Sequence, residues 1–436
     1  MTEKKSGVMK ISGVSWALES SLYELDRAII SWHRPLHTLH LYDLDLDVRE
    51  TTAVIKVLRR HAASLENLSL QECTGHVDMV LTVAMTISLQ TCSIAIGGIA
   101  PTASSRCLHA LGVGLQLTST LETLILESGS NEFFTANVNA MRSLEQGLEN
   151  NASLTKFCLK GCRFAEPSVV LALAQGLRGH GNLQEVKLRR CFKANGHSLD
   201  DEGLSILIQA LEHNTQLTHL NVSENKCLDR GISALATLMD RTQLQTLDLS
   251  CQIVDRDTES MNLANLVGAL GRTNTLQRLV LRFNHLDDHH VAFLAAALMH
   301  NTSIRFVGLE GNHITNTGLS ILASRIPMMK SLTHLVLTNN PFDDGSELAE
   351  AMEDNFILNK IAMDVQVAKV SIIQYYADWN WAGRRSIMDN TVQLLPALWP
   401  FILERLQQLL SNDNGMERYA NVTYCLLRDG PTLFPR

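Results

Sequence analysis

Apolar residues recur along this chain in a fixed order. Leu276, Leu279, Leu281 and Asn284 return 28 residues later as Ile304, Val307, Leu309 and Asn312, and again as Leu332, Leu335, Leu337 and Asn340. The alternation within each triplet predicts a short strand with one face buried. Behind it, Val291, Leu294 and Leu298, matched by Leu319, Leu322 and Ile326, predict one face of a helix. One strand and one helix per unit make a solenoid repeat.

The same phase runs through most of the chain. The strand triplets are Leu36/Leu39/Leu41, Leu65/Leu68/Leu70, Leu89/Cys92/Ile94, Leu121/Leu124/Leu126, Leu154/Phe157/Leu159 and Leu183/Val186/Leu188. They continue as Leu217/Leu220/Val222, Leu244/Leu247/Leu249, the three units above, and Leu358/Ile361/Met363, twelve units in all. Spacing stretches to 32 and 33 residues around the fourth unit and 34 between the sixth and seventh. The extra residues fall in ESGSNEFFTANVNA and CFKANGHSLDDEG, on loops that leave strands, where recognition often resides.

The pattern L-x-x-L-x-L-x-x-N/C, completed by Asn225, Asn284, Asn312 and Asn340 and by Cys73, Cys162 and Cys191, resembles the leucine-rich repeat. Its full helix per unit, with Gly203, Gly231 and Gly318 near the helix start, is similar to the ribonuclease-inhibitor-like class. The fold expected is α/β, a curved leucine-rich repeat solenoid with a parallel inner sheet, outer helices and helical end caps. Strands stack about 4.8 Å apart and helices about 10 Å, so the helical layer fans out and the sheet lines a concave face, giving a horseshoe. The Asn side chain at each turn is expected to satisfy backbone groups as the chain leaves the strand.

This organisation assigns residues 1–35 to an N-terminal helical cap, 36–366 to the solenoid and 367–436 to a helical C-terminal cap. Leu18, Leu22, Leu25 and Ile29 share a helical face in the first segment. All five tryptophans and all six tyrosines lie outside residues 43 to 374, as expected where bulky amphipathic side chains close an otherwise open apolar end. The tail, through LPALWPFILERLQQLL and ANVTYCLLRDGPTLFPR, is also similar to those of leucine-rich repeat proteins predicted in diatoms and related algae.

Composition narrows the function classes. A chain of 436 residues, 45% hydrophobic, allows two or three domains by length, but the repeat predicts one elongated body. A formal charge of -8 argues against a general nucleic-acid or anionic-membrane binder. Nine cysteines without a paired framework and no apolar run at the start point to reduced thiols and a cytoplasmic protein, with the nucleus equally open. Met79 to Ser105 carries no charge over 27 residues, yet Leu89, Cys92 and Ile94 within it hold strand positions, so no membrane span is expected.

Catalytic signatures are missing: there is no GxxxxGK[ST], GxSxG or HExxH, and Gly97-Gly98 lacks a phosphate loop's lysine. No enzyme activity and no cofactor are expected. The densest set of metal-ligand types is NHLDDHH, with His285, Asp287, Asp288, His289 and His290, which also reads as a polar loop and helix start. Asp43, Asp45 and Asp47 lack the glycine and glutamate of a calcium loop. Cys158 points out of the strand face with no histidine base in sight. No catalytic or metal residue is assigned.

The outward strand positions are more specific. They carry Lys156 and Lys160 in the fifth unit, Lys187, Arg189 and Arg190 in the sixth, and Arg278 and Arg282 in the ninth. With strands about 5 Å apart these cations repel one another unless an acidic protein partner, a carboxylate-rich helix or a phosphate lies on them. The alternative is a self-balanced surface, with Glu185 between them and Glu127, Glu224, Asp248 and Glu310 around them. The primary expectation is a non-enzymatic protein-binding scaffold. Because the repeat class resembles the Ran GTPase activator, a small-GTPase regulator is an alternative, and a similar resemblance adds an innate-immune-type ligand sensor.

Overall fold

The computed structural model describes residues 8–12, 35–96, 101–128, 138–162, 164, 166–191, 200–252, 263–381 and 384. It divides the chain into two compact units, Met1–Leu247 with Val254–Arg256, and Asp248–Ile253 with Asp257–Arg436.

In the first unit the strands β1 (Val8–Ser12), β2 (Thr38–Tyr42), β3 (Asp45–Leu46), β4 (Asn67–Gln71) and β5 (Thr74–Gly75) come first. They are followed by β6 (Thr91–Ile96), β7 (Thr123–Ser128), β8 (Lys156–Lys160), β9 (Glu185–Arg189) and β10 (His219–Asn221). All but β3 and β5, which pair separately, form one parallel sheet in the order β1-β2-β4-β6-β7-β8-β9-β10. Its central row runs Leu39, Leu68, Cys92, Leu124, Phe157, Val186 and Leu220 in register. Each of these side chains is at most 1% exposed, which is what a parallel sheet covered by helices on that face requires.

β11 (Thr246–Asp248) lies at the boundary between the units. The second unit holds β12 (Arg278–Val280), β13 (Phe306–Gly308), β14 (His334–Val336) and β15 (Lys360–Ala362), again parallel, with Leu279, Val307, Leu335 and Ile361 in register. Each of the twelve strand triplets read from the sequence coincides with one of β2, β4, β6 to β10 or β11 to β15. β1 was not foreseen. It lies inside the expected helical cap and places Met9 and Ile11 beside Leu39 and Leu41; the residues around it, with Leu18 to Ile29, are outside the described set.

Each of the twelve repeats carries a helix after its sheet strand, and the helix start is written locally. Asp47 caps Val48–Arg60 with Glu50 completing a capping box, Pro167 opens Pro167–His180, and Gly181 ends that helix in a left-handed conformation. Helices Pro101–Leu117 and Val138–Asn150 approach closely because Gly112 and Gly147 face each other. A Cβ on Gly112 would lie 2.1 Å from the Ser143 carbonyl oxygen. Met79 to Ser105, the charge-free stretch, is split among Val77–Ala84, β6 and Pro101–Leu117. Among the described residues no helix is long and apolar enough to cross a membrane.

Two ladders of asparagines tie neighbouring repeats together. Asn312 accepts the N–H groups of Asn284 and Leu286 at 2.9 and 3.1 Å and donates to the carbonyls of Leu281 and Leu309 at 3.0 and 2.8 Å. Asn340 and Asn284 repeat this arrangement, and Asn225 does so in the first unit. The second ladder stands three residues before the strand triplet: Asn151, Asn301 and Asn355 donate to carbonyls of the preceding repeat at 2.7 to 2.9 Å and accept N–H groups beside their own strand. The aromatic end is partly described. Helix Val370–Trp381 carries Trp379, 3% exposed, and Asn380, which donates to the carbonyls of Asn355 and Leu358. Residues 385–436, with the algal-like tail, lie outside the described set.

Candidate functional site

Strand alternation turns every second residue of β8 and β9 away from the buried leucines. Lys156 therefore stands beside Glu185, Cys158 beside Lys187, and Lys160 beside Arg189. On the other side of β8, Lys160 is in register with Glu127. Lys156 and Lys187 share the Glu185 carboxylate, at 3.4 and 2.5 Å. Lys160 pairs with Glu127, and Arg189 with Glu224. The repulsion expected among these cations is thus relieved inside the chain: four of the five cations meet three carboxylates, and the surface is a charge-alternating mosaic rather than a uniform basic patch.

Electrostatics follow the pairing. Burial tends to raise the Glu185 carboxyl, but hydrogen bonds and charge from Lys187 and Lys156 outweigh it and hold the group below its usual range. Cys158, half-buried in the same row, has its thiol pushed up by burial, although Lys187 opposes the shift. The neighbouring lysine does not make it a ready nucleophile. Arg190 is exposed, with a left-handed backbone and its N–H bonded to the Ser223 carbonyl at 3.1 Å.

In the second unit Arg278 lies over the Phe306 ring, 3.5 Å from its centroid, and Arg282 pairs with Glu310 at 3.4 Å. Burial and the nearby Arg282 lower the Arg278 pKa, with Asp248 acting in the opposite direction. The sequence places both arginines on the outward face and Glu310 near them, but gives no sign of the aromatic partner of Arg278.

The constellations with metal-ligand residues are used for construction. Asp287 caps helix Asp288–His300, accepting the N–H groups of His289 and His290. Asp288 instead reaches the next repeat, where Thr315 donates to it from backbone and hydroxyl. His285 meets His313 at 2.6 Å between ring nitrogens. Asp47 is a helix cap and Asp45 accepts the Thr74 hydroxyl at 2.9 Å. Among the described residues no group of three or more His, Cys, Asp or Glu side chains is placed to hold one metal ion.

A sheet of parallel strands one repeat apart, backed by capped helices and crossed by asparagine ladders, agrees with what the chain is similar to. Its relatives are NACHT, LRR and PYD domains-containing proteins. Human NACHT, LRR and PYD domains-containing protein 5 is 27% identical over 321 residues, 72% of this chain and 25% of that protein. Human protein 14 of the same name series is 32% identical over 152 residues, 33% of this chain and 13% of the relative. Mouse protein 12 is 29% identical over 210 residues, 47% and 19% respectively. The chain spans about a quarter or less of the length of these relatives. No family model matches it. The similarity supports a leucine-rich repeat protein. None of these three names mentions a small GTPase, so that alternative rests on the repeat class alone.

Several residues that organise the surface escaped sequence reading. Asp201 accepts N–H groups of Leu228, Arg230 and Gly231 at 2.8 to 2.9 Å, and Asn316 accepts those of Asp343 and Asp344 at 3.0 and 3.1 Å. With Asp288 they share one repeat position, two residues before Gly203, His290 and Gly318. The available signal was that a short acceptor recurs there in phase.

Proposed function

We propose that this chain is a non-enzymatic protein-recognition module, built of leucine-rich repeats of the ribonuclease-inhibitor-like class, that binds an acidic protein through the outward side of its sheet. The observation that carries the reading is the mosaic on β8 and β9: Lys156, Lys160, Lys187 and Arg189 are each tied to a carboxylate yet remain part-exposed. Charges held in register by a sheet form a rigid template, so an acidic partner can exchange places with Glu127, Glu185 and Glu224 without reorganising the backbone. Surface pairs of this kind contribute little to stability, which leaves them available for recognition.

Affinity capture from native cells, comparing the parent with Lys187→Glu/Arg189→Glu, tests this. The parent should retain a protein that the variant loses, with retention falling as salt rises. Equal retention by both would remove the mosaic from the reading.

Similarity to NACHT, LRR and PYD domains-containing proteins over 72% of the chain favours a second, finer reading, an innate-immune-type sensor or regulator. It predicts that the captured set changes when cells are challenged with microbial material. The same set before and after challenge favours a constitutive scaffold.

A further inference from the structure

The outward face of the second unit is built differently from the mosaic. Its first row, across β12 to β15, is Arg278, Phe306, His334 and Lys360 in register. The next row, Val280, Gly308, Val336 and Ala362, is apolar and shallow. Beyond it Arg282 pairs with Glu310, and Asp364 accepts the Asn339 N–H at 2.8 Å. A smooth trough thus runs across the strands, with a balanced wall on one side and a wall of cationic and aromatic groups on the other.

The first row contains no carboxylate of its own. Arg278 and Lys360 are exposed, Phe306 and His334 half-buried, and the Phe306 ring lies between Arg278 and His334, its centroid 6.4 Å from that of His334. The nearby acid is Asp248, which acts on Arg278 but is held by the Ser250 N–H and hydroxyl at 3.0 and 2.6 Å. Burial, and then Lys360 and Arg278, depress the His334 pKa, so the row sits in positive potential that an anion would relieve.

We infer that the trough over β12 to β15 is a docking site for an extended acidic peptide segment whose carboxylates engage Arg278 and Lys360 while an apolar side chain lies along Phe306, Gly308 and Val336. The site deepens the protein-recognition reading and rests on it for its biological partner. Charge complementarity selects the occupant: the wall supplies cations and the floor supplies apolar surface. Spacing sets its pattern. Arg278 and Lys360 stand three strands apart, about 14 Å, a span that an extended chain covers in about four residues. Gly308 keeps the floor low, since a Cβ there would come within 3.3 Å of the Phe306 ring and 3.4 Å of Val280.

The test uses the full chain and a fluorescently labelled extended peptide with two glutamates four residues apart and valines between, its glutamine counterpart, and a phosphoserine counterpart. The glutamate peptide should bind with salt-dependent anisotropy, at least about tenfold more tightly than the glutamine peptide. Arg278→Glu/Lys360→Glu, both at exposed positions, should lose that binding while its circular dichroism and melting match the parent; Lys56→Glu, at an exposed position of helix Val48–Arg60, should retain it. His334, assigned in NMR spectra by comparison with His334→Gln, should titrate at higher pH when the glutamate peptide is bound. Equal binding of glutamate and glutamine peptides, unchanged binding by the doubly reversed variant, or tenfold preference for phosphoserine would each overturn the assignment. If cellular capture fails while the peptide behaves as stated, the protein-recognition reading falls and the trough stands; if capture succeeds and the reversed variant binds peptide like the parent, the reverse holds.

Discussion

Asp288 accepts both the backbone N–H and the hydroxyl of Thr315, at 2.8 and 2.6 Å, and so joins the start of one repeat's helix to the residue that caps the next. A Cβ at Gly318 would come within 2.2 Å of the same carboxylate, which explains why that repeat keeps glycine there. Asp288→Ala removes an inter-repeat acceptor at a helix N-terminus and should destabilise the fold by about 1 to 2 kcal/mol, with Asp288→Asn losing less. Urea midpoints at constant m-value check the order.

Asn312 is 3% exposed and makes bonds on both sides of its turn. Asn312→Ala should cost about 3 kcal/mol or more, because two N–H and two carbonyl groups lose their partner in a dry interior. Asn312→Cys should cost less, since Cys73, Cys162 and Cys191 occupy equivalent turns and direct their thiols at carbonyls 3.3 to 3.7 Å away. Equal loss in the two variants would show that neither the volume nor the weak hydrogen bonding of a thiol replaces the amide at this position.

His180 occupies the second asparagine ladder's position, 5% exposed, and burial pushes its pKa down to about 4. The unfolded chain takes up this proton near pH 6.5, the folded chain only near 4. Because the folded pKa is depressed, the contribution is fully present above about pH 6.5 and is lost progressively as pH falls towards 4, by at most about 3 kcal/mol. His180→Asn, which restores the side chain seen at Asn151 and Asn301, should remove this step. Denaturation midpoints at several pH values read it directly.

Glu185 neutralises two lysines at once. Glu185→Gln should change stability by less than about 1 kcal/mol, since the lysines remain substantially exposed. It should strengthen capture of an acidic partner and steepen the salt dependence of that capture. Weaker capture would mean that Glu185 itself contacts the partner.

Thiol labelling offers a simple probe of the core. Burial pushes Cys92 and Cys162 up to about 12 and Cys73 to about 11. These three should resist iodoacetamide at neutral pH until denaturant is added, as peptide mapping by mass spectrometry will show.

The repeat and its phase were legible in the chain because they depend on local periodicity. A leucine at every second place marks a strand, and leucines three and four apart mark a helix, whatever lies next to them. That reasoning placed twelve strands, the buried row from Leu39 to Leu220, and the turn asparagines. It also placed Lys156, Lys187 and Arg278 on the outward side of the sheet.

Which side chains meet across that side was decided by tertiary structure. The repeat length varies, so the partner of Lys160 is 33 residues away and that of Arg189 is 35 residues away, separations that no single period predicts. Parallel register brings Glu127, Glu185 and Glu224 against the cations, setting which carboxylate each cation meets. The added strand Val8–Ser12, the burial of His180 and the reach of Asp288 to Thr315 have the same origin. Periodicity dictates which way a side chain points; the neighbour it finds there depends on how the repeats stack.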